Sequence, residues 1–207
     1  MTDLTAPTLA DRIRAAHADQ KAAQVLEAGY EAFLQFGLRR ASMQDIADRA
    51  GMSRAALYLH FKNKDAIFRA MMAAYFDAAA EAAAEALAAH DDVAQALISA
   101  FEAQMGDAAE QMIRSPHAEE LLSHKSQAAD VLEAGNAKLI AVYARWLEVA
   151  VQAGRIDPTA VAGSAERMAR VMITALDGMK AGATDWEAYV DARRHLARSF
   201  ARAIEVR

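Results

Sequence analysis

Apolar residues recur at helical spacing along almost the whole chain, and very little interrupts them. Of 207 residues only three are Pro and nine Gly, while Ala is very frequent. Few breakers and many strong helix formers predict an all-α protein of about nine helices. No segment alternates apolar and polar residues as a half-buried strand would. The chain has no Cys. That excludes a disulfide framework, a thiolate zinc site and a thiol nucleophile, and makes the cytoplasm the expected compartment. The start lacks a cationic segment followed by an apolar run, so no signal peptide is expected. No stretch reaches the apolar length of a membrane span, so no membrane partner is expected.

The few interruptions set the order of the helices. Residues 1–18 begin irregularly at Pro7 and become helix-compatible from Leu9. Asp19–Phe36 carries an apolar stripe at Ala22, Val25, Leu26, Tyr30, Phe33 and Leu34, and Gly37 stops it. Ser42 opens a short helix with Asp45 as its capping-box partner, and Gly51 ends it. Ser53 caps the next helix, whose Leu57 and Phe61 face inward, and Asn63 can cap a longer one from Lys64 towards His90. Beyond lie Asp92–Gln111, Pro116–Lys125, Ser126–Ala153, Pro158–Ala181 and Trp186–Val206. Thr184 and Glu187 form a capping box for the last of these.

Charge is unevenly spread. The net charge is −5, yet Gly37–Ala70 holds seven basic residues (Arg39, Arg40, Arg49, Arg54, Lys62, Lys64, Arg69) against three acidic ones. A single basic window in an acidic chain fits a phosphate-facing patch with the remainder turned away from DNA.

That window contains Ser42–Phe61, two short helices meeting at Ala50-Gly51-Met52. Small Ala47 permits close approach, Gly51 makes the turn, and Leu57 plugs the interface. This spacing predicts a helix-turn-helix, whose second helix enters the major groove. The exposed face would be Arg54, Ala55, Tyr58 and Ala56. Ser42, Ser53 and Lys64 lie at or beside helix N-termini, where free N–H groups favour phosphate oxygens. Taken singly, each has an ordinary structural reading: a solvated cation, a half-buried Tyr, a helix cap. Together, at this spacing, they point to DNA.

The stretch Phe36–Phe68 resembles the DNA-binding domain of the TetR/AcrR family of transcriptional regulators. The likeness rests on Gly37, Ser42, Ile46-Ala47, Ala50-Gly51, Ser53, Leu57-Tyr58, Phe61 and Lys64-Asp65, about a third of the chain with the first helix included. It implies a helix-turn-helix domain over 1–64, with a flexible N-terminal extension, and a helical effector-binding and dimerisation domain over 65–207. It implies that Ser42 and Ser53 touch phosphates and that Arg54 and Ala56 face base edges. Tyr58, His60 and Lys64 would clamp the backbone, with Arg39 and Arg40 near adjacent phosphates. The sequence departs from the pattern at Ala55, where Gly is frequent, and at Ala41, where Thr is common. The function implied is a repressor, not an enzyme, that leaves its operator when a small molecule binds.

Two copies would read a palindromic double-stranded operator, since a two-fold dimer spaces two reading helices by about one duplex turn or a multiple of it. Ala165, Met168, Met172, Ala175, Leu176 and Met179 form one stripe, and Tyr189, Ala192, Leu196, Phe200 and Ile204 another. Paired across a two-fold axis they would build a four-helix bundle; the alternative is that they close their own domain's core. Phe101, Met105, Met112, Tyr143, Trp146 and Met172 suit a pocket for a small hydrophobic effector, or ordinary core packing.

Other classes are weaker. A di-iron bundle wants Glu-x-x-His pairs, and a serine hydrolase wants Gly-x-Ser-x-Gly; neither occurs. His117, Glu120 and His124 share a helix face at spacings that could ligate a metal, but a polar surface stripe is the favoured reading, and no cofactor is expected. A helical interaction module without a DNA role would need neither the basic window nor the turn at Gly51.

Overall fold

The computed structural model describes residues 11, 14, 19–124, 128–161, 163–181 and 185–206, without the side chains at 107–109, 112, 122–124 and 181. The helix-compatible run expected from Leu9, the N-terminal extension and Thr184 lie largely or wholly outside these residues. Among the described residues there are ten helical segments and no named strand. They are α1 (Gln20–Arg40), α2 (Met43–Arg49), α3 (Arg54–His60), α4 (Lys64–Ala88), α5 (Val93–Ala103), α6 (Gly106–Arg114), α7 (Ala118–His124), α8 (Ala129–Gln152), α9 (Ala165–Ala181) and α10 (Trp186–Ile204). None of them is long and apolar enough to cross a membrane.

The segments form two compact units. One takes in the chain up to Ala78 together with Gly106–Ala134; the other takes in Ala79–Met105 and Gly135–Arg207. This partition differs from a division at residue 64, because α4 and α8 each contribute residues to both units.

In the first unit, α2 packs on α1 and α3, and α7 packs on α1. Val25, Leu26, Phe33, Leu38, Ile46, Leu57 and Ile67 are all buried there, with Leu121 of α7 joining the same cluster. Phe33 and Phe68 meet edge to face with centroids 6.0 Å apart. Arg69 ties α4 to the start of α8 through two hydrogen bonds to Asp130, of 2.9 and 2.5 Å. That guanidinium holds the Asp130 carboxyl below its ordinary range.

In the second unit, α10 packs closely along α5, and α9 packs on α10. Phe101 of α5 lies 5.8 Å from the ring of Tyr143 and 6.5 Å from that of Phe200. The end of α10 is pinned to the turn after α8: Asp157 donates its N–H to Ile204 (2.8 Å) and Val206 donates to Arg155 (3.3 Å).

Three sequence expectations need correction. The run Asp92–Gln111 is two helices, broken at Gln104-Met105, because Gly106 adopts φ +55°, outside helical space. The run from Pro158 opens with turns at 158–161 and 163, and α9 begins only at Ala165, after Gly163 at φ +70°. The last helix is capped by Asp185, whose carboxylate accepts from Ala188 N at 2.9 Å, rather than by Thr184. A residue beside the expected cap satisfies the free N–H of the first turn.

Leu57 is wholly buried in the first unit's core, and it is the one buried residue of α3. Leu57→Ala is expected to destabilise the protein by about 2–5 kcal/mol, read as a lower urea midpoint with an unchanged slope.

Candidate nucleic-acid interface

Hydrogen-bonding chemistry fixes the bounds of the two short helices. Ser42 and Asp45 form a full capping box: Asp45 N donates to Ser42 Oγ (3.2 Å), while Ser42 N and Oγ donate to Asp45 Oδ2 (2.8 and 2.6 Å). These donors, the Ser42 hydroxyl foremost, hold the Asp45 carboxyl below its usual range. At the other end Ala50 is the last near-helical residue, and Gly51 swings to φ +62°. Gly51 N–H returns to Asp48 O (3.2 Å) and Met52 N–H to Ala47 O (3.0 Å). This is the paired closure of a Schellman turn, which requires a left-handed residue between the two donors. Met52 then packs on the core cluster, completing the hydrophobic part of the closure.

Ser53 restarts the chain as a helix by accepting from Ala56 N at 3.1 Å. Eight residues later Phe61 returns to extended dihedrals (φ −137°, ψ 126°) and packs against the core. Asn63 Oδ1 accepts from Ala66 N at 2.8 Å and starts α4, as expected. The outcome is a helix anchored by Leu57, with Arg54, Ala55, Tyr58 and Leu59 exposed. Arg54 lies over the Tyr58 ring, 5.6 Å from its centroid. This geometry defines a helix-turn-helix domain with its second helix presented to solvent.

The basic window is only partly outward. Arg39, Arg40, Arg54 and Lys62 are exposed. Arg49 sits 4.8 Å over the ring of Phe36 and donates to Gln35 Oε1. Arg69 is bound to Asp130. Lys64 donates through Nζ to Arg39 O (2.8 Å) and Ala41 O (3.0 Å), stitching the start of α4 to the end of α1. His60 is half-buried, its Nδ1 3.2 Å from Asp19 Oδ2. Ser42 and Ser53 are exposed at their caps, and Ala56 is half-buried. Lys62 was counted in the basic window without a role, and Leu59 was not singled out, though its position on the helix face could have signalled it.

Gly37 interrupts α1 at φ +75°, after which the chain coils on to Arg40. A Cβ there would fall 2.4 Å from Glu120 Oε2 and 3.0 Å from His117 Nδ1. The residues with metal-like spacing are thus turned onto the end of α1. Glu120 Oε1 accepts from Arg39 N (2.7 Å), His117 Nε2 lies 3.2 Å from Gln35 O, and Ser115 Oγ donates to Leu34 O (3.0 Å). The side chain of His124 is outside the described residues, and among those residues no cluster could hold a metal.

Of the residues suggested for an effector pocket, Phe101, Met105, Tyr143, Trp146 and Met172 are buried in the second unit, and the side chain of Met112 is outside the described residues. Tyr143 is fully enclosed, its hydroxyl donating to Gln104 Oε1 at 3.0 Å; burial pushes its pKa well up. A groove of about 630 Å³ opens in this unit, lined by Leu87, Val142, Trp146 and Val149 with His90, Asp91, Arg145 and Arg155. Trp146 alone belongs to both sets. Its Nε1 is buried without a hydrogen-bond partner among the described residues. Of the suggested dimer residues, Met172, Leu176 and Tyr189 are buried within the unit, while Met168, Met179, Leu196 and Phe200 are half-buried.

Residues 25–71 match the family model described as "Bacterial regulatory proteins, tetR family". The transcriptional activator FasR of Mycolicibacterium smegmatis is 36% identical over 85 residues, covering 41% of this chain and 39% of that protein. The transcriptional regulator TtgR of Pseudomonas putida is 40% identical over 55 residues, 27% of this chain and 26% of that one. The matched part thus spans about a quarter to two fifths of these relatives' length. A transcriptional regulator from Cytophaga hutchinsonii shares the fold, with a TM-score of 0.73 at 18% identity, over 91% of this chain and all of that one. Residues 25–71 thus carry a helix-turn-helix similar to that of the tetR family of bacterial regulatory proteins.

Ser42→Ala removes the hydroxyl's bonds with Asp45 but leaves the N–H of residue 42 on that carboxylate, and is expected to cost about 1 kcal/mol in urea unfolding at neutral pH. Because the Asp45 carboxyl is depressed in the folded protein, its contribution is present above about pH 3.9 and fades as pH falls through the lowered folded value. Asp45→Asn should therefore narrow its stability gap to the parent as acid is added.

Proposed function

We propose that the protein is a dimeric DNA-binding transcriptional repressor that leaves a palindromic operator when a small hydrophobic effector binds its helical C-terminal part. The DNA-reading domain would comprise residues 1–64 and the effector and dimer domain 65–207, acting in the cytoplasm. One observation carries the reading: a helix fixed from within by Leu57 holds Arg54 and Tyr58 outward, and Arg39, Arg40 and Lys62 of the same compact unit are exposed as well. Exposed cations meet phosphates, which set affinity and register, and the helix face meets base edges, which set sequence. Ser42 and Ser53, exposed at two helix N-termini, add hydroxyls near the same phosphates. Tyr58 contributes a phenol from the flank, and Ala55 and Ala56 contribute close approach.

The groove at Trp146 supports the effector. Its walls are apolar and its rim carries opposite charges. Met168, Met179, Leu196 and Phe200 support the dimer, together with Val171, which flanks the α9 stripe and is 56% exposed. Release follows if the effector favours a conformation whose two reading helices no longer match successive grooves.

The full chain is expected to bind duplex selected from its own upstream region. Affinity should fall as salt rises, by about 0.9 log units per log unit of salt for each phosphate neutralised. Joint replacement Arg54→Ala, Tyr58→Ala should weaken binding at least tenfold and leave the helical melting curve unchanged. Salt-independent binding, or indifference to the double replacement, contradicts the reading. A reporter that falls on deletion of the protein would mark an activator instead.

A further inference from the structure

The ridge of α3 that stands farthest from the protein's interior is apolar. Successive helical residues turn by about 100°. With the buried Leu57 pointing inward, Ala55 and Leu59 each fall within about 20° of the opposite direction. Arg54 and Tyr58 lie on one flank of that crest; Ala56 and His60 lie on the other. Leu59 is 86% exposed, the most exposed large apolar side chain among the described residues, and the next is Val171 at 56%. A lone surface Leu is unremarkable. This one occupies the crest of a seven-residue helix, four residues after exposed Ala55, amid outward Arg and Lys.

We infer that Leu59, with Ala55 beside it, is a specificity-determining residue that reads the 5-methyl group of thymine at the centre of each half-site. The inference rests on the DNA-binding reading above and adds the chemistry of the base that is read. The thymine methyl is the one apolar feature that base pairs present in the major groove. Leu59 has no donor or acceptor. A G·C pair against it would lose hydration from its carbonyl and amino groups without replacement, whereas a thymine methyl shields apolar surface on both partners. Arg54, displaced to the flank and resting on Tyr58, meets a neighbouring pair or the backbone rather than the one beneath the crest. The helix thus discriminates at its centre by contact and at its edge by hydrogen bonds.

The test uses the full chain and duplexes selected by it from a random library. Each thymine facing the groove is replaced in turn by uracil, which removes only the methyl group. The parent protein is expected to lose about fourfold in affinity at one symmetry-related pair of positions, the worth of one buried carbon. Leu59→Ala removes the contact from both half-sites at once, so it should lose at least about fifteenfold on the thymine duplex and show no further loss with uracil. Its unaltered helical melting and salt dependence would show that the domain and its phosphate contacts persist. The inference is overturned if no thymine responds, or if Leu59→Ala retains the full uracil penalty. It is also overturned if the replacement changes the oligomeric state, which would place Leu59 in a protein contact. Salt-dependent duplex binding with no methyl effect defeats this inference alone; failure to select any duplex defeats the DNA-binding reading as well.

Discussion

The closure between α2 and α3 governs the rest. Gly51 at φ +62° lets two N–H groups return to Asp48 and Ala47, so two of the carbonyls in the last turn of α2 are paired. The chain then has one residue, Met52, before Ser53 starts another helix. That brevity forces the two helices together, and small Ala47 with wholly buried Leu57 fills the space between them. A side chain at position 51 would strain the left-handed turn. Loss of Leu57 would free α3 to rotate and turn a different face outward. The outward chemistry of Arg54, Ala55, Tyr58 and Leu59 follows from the inward chemistry of one leucine.

Around that closure, polar groups hold the domain's edges. The capping box at Ser42 and the caps at Ser53 and Asn63 begin three successive helices. Lys64 and Glu120, both from later in the chain, bind backbone groups at the end of α1. The resemblance implied a phosphate contact for Lys64; its ammonium already bridges two carbonyls, Arg39 O and Ala41 O. The exposed cations Arg39, Arg40, Arg54 and Lys62 remain as the positive surface.

What could be read in the sequence was what local chemistry decides. Ser42, Gly51, Ser53 and Asn63 each act within four residues of themselves, and each stands where its side-chain chemistry required. The apolar stripe of α1 and the inward Leu57 follow from helical period alone. Residues whose role depends on distant partners were not legible. Gly106 breaks a run whose apolar period continues unbroken through it. His117 and Glu120 carry metal-like spacing, but their partners, Gln35 and Arg39, lie some eighty positions away. Phe101, Met105, Tyr143 and Met172, suggested for an effector pocket, are buried, and buried Trp146 also lines the groove; size and polarisability suit core and pocket alike. Whether the α9 and α10 stripes face a partner or their own domain is likewise decided by tertiary packing, which gives Met172, Leu176 and Tyr189 to the interior.

The central claim is that α3 enters the major groove. Dimethyl sulfate probing of the selected duplex tests it directly, because guanine N7 lies in the major groove and adenine N3 in the minor. The account predicts protection of guanine N7 in two patches about one duplex turn apart, or a multiple of it, with adenine N3 between them unaffected. Protection confined to adenine N3, or a bound complex in which neither atom is shielded, would contradict it.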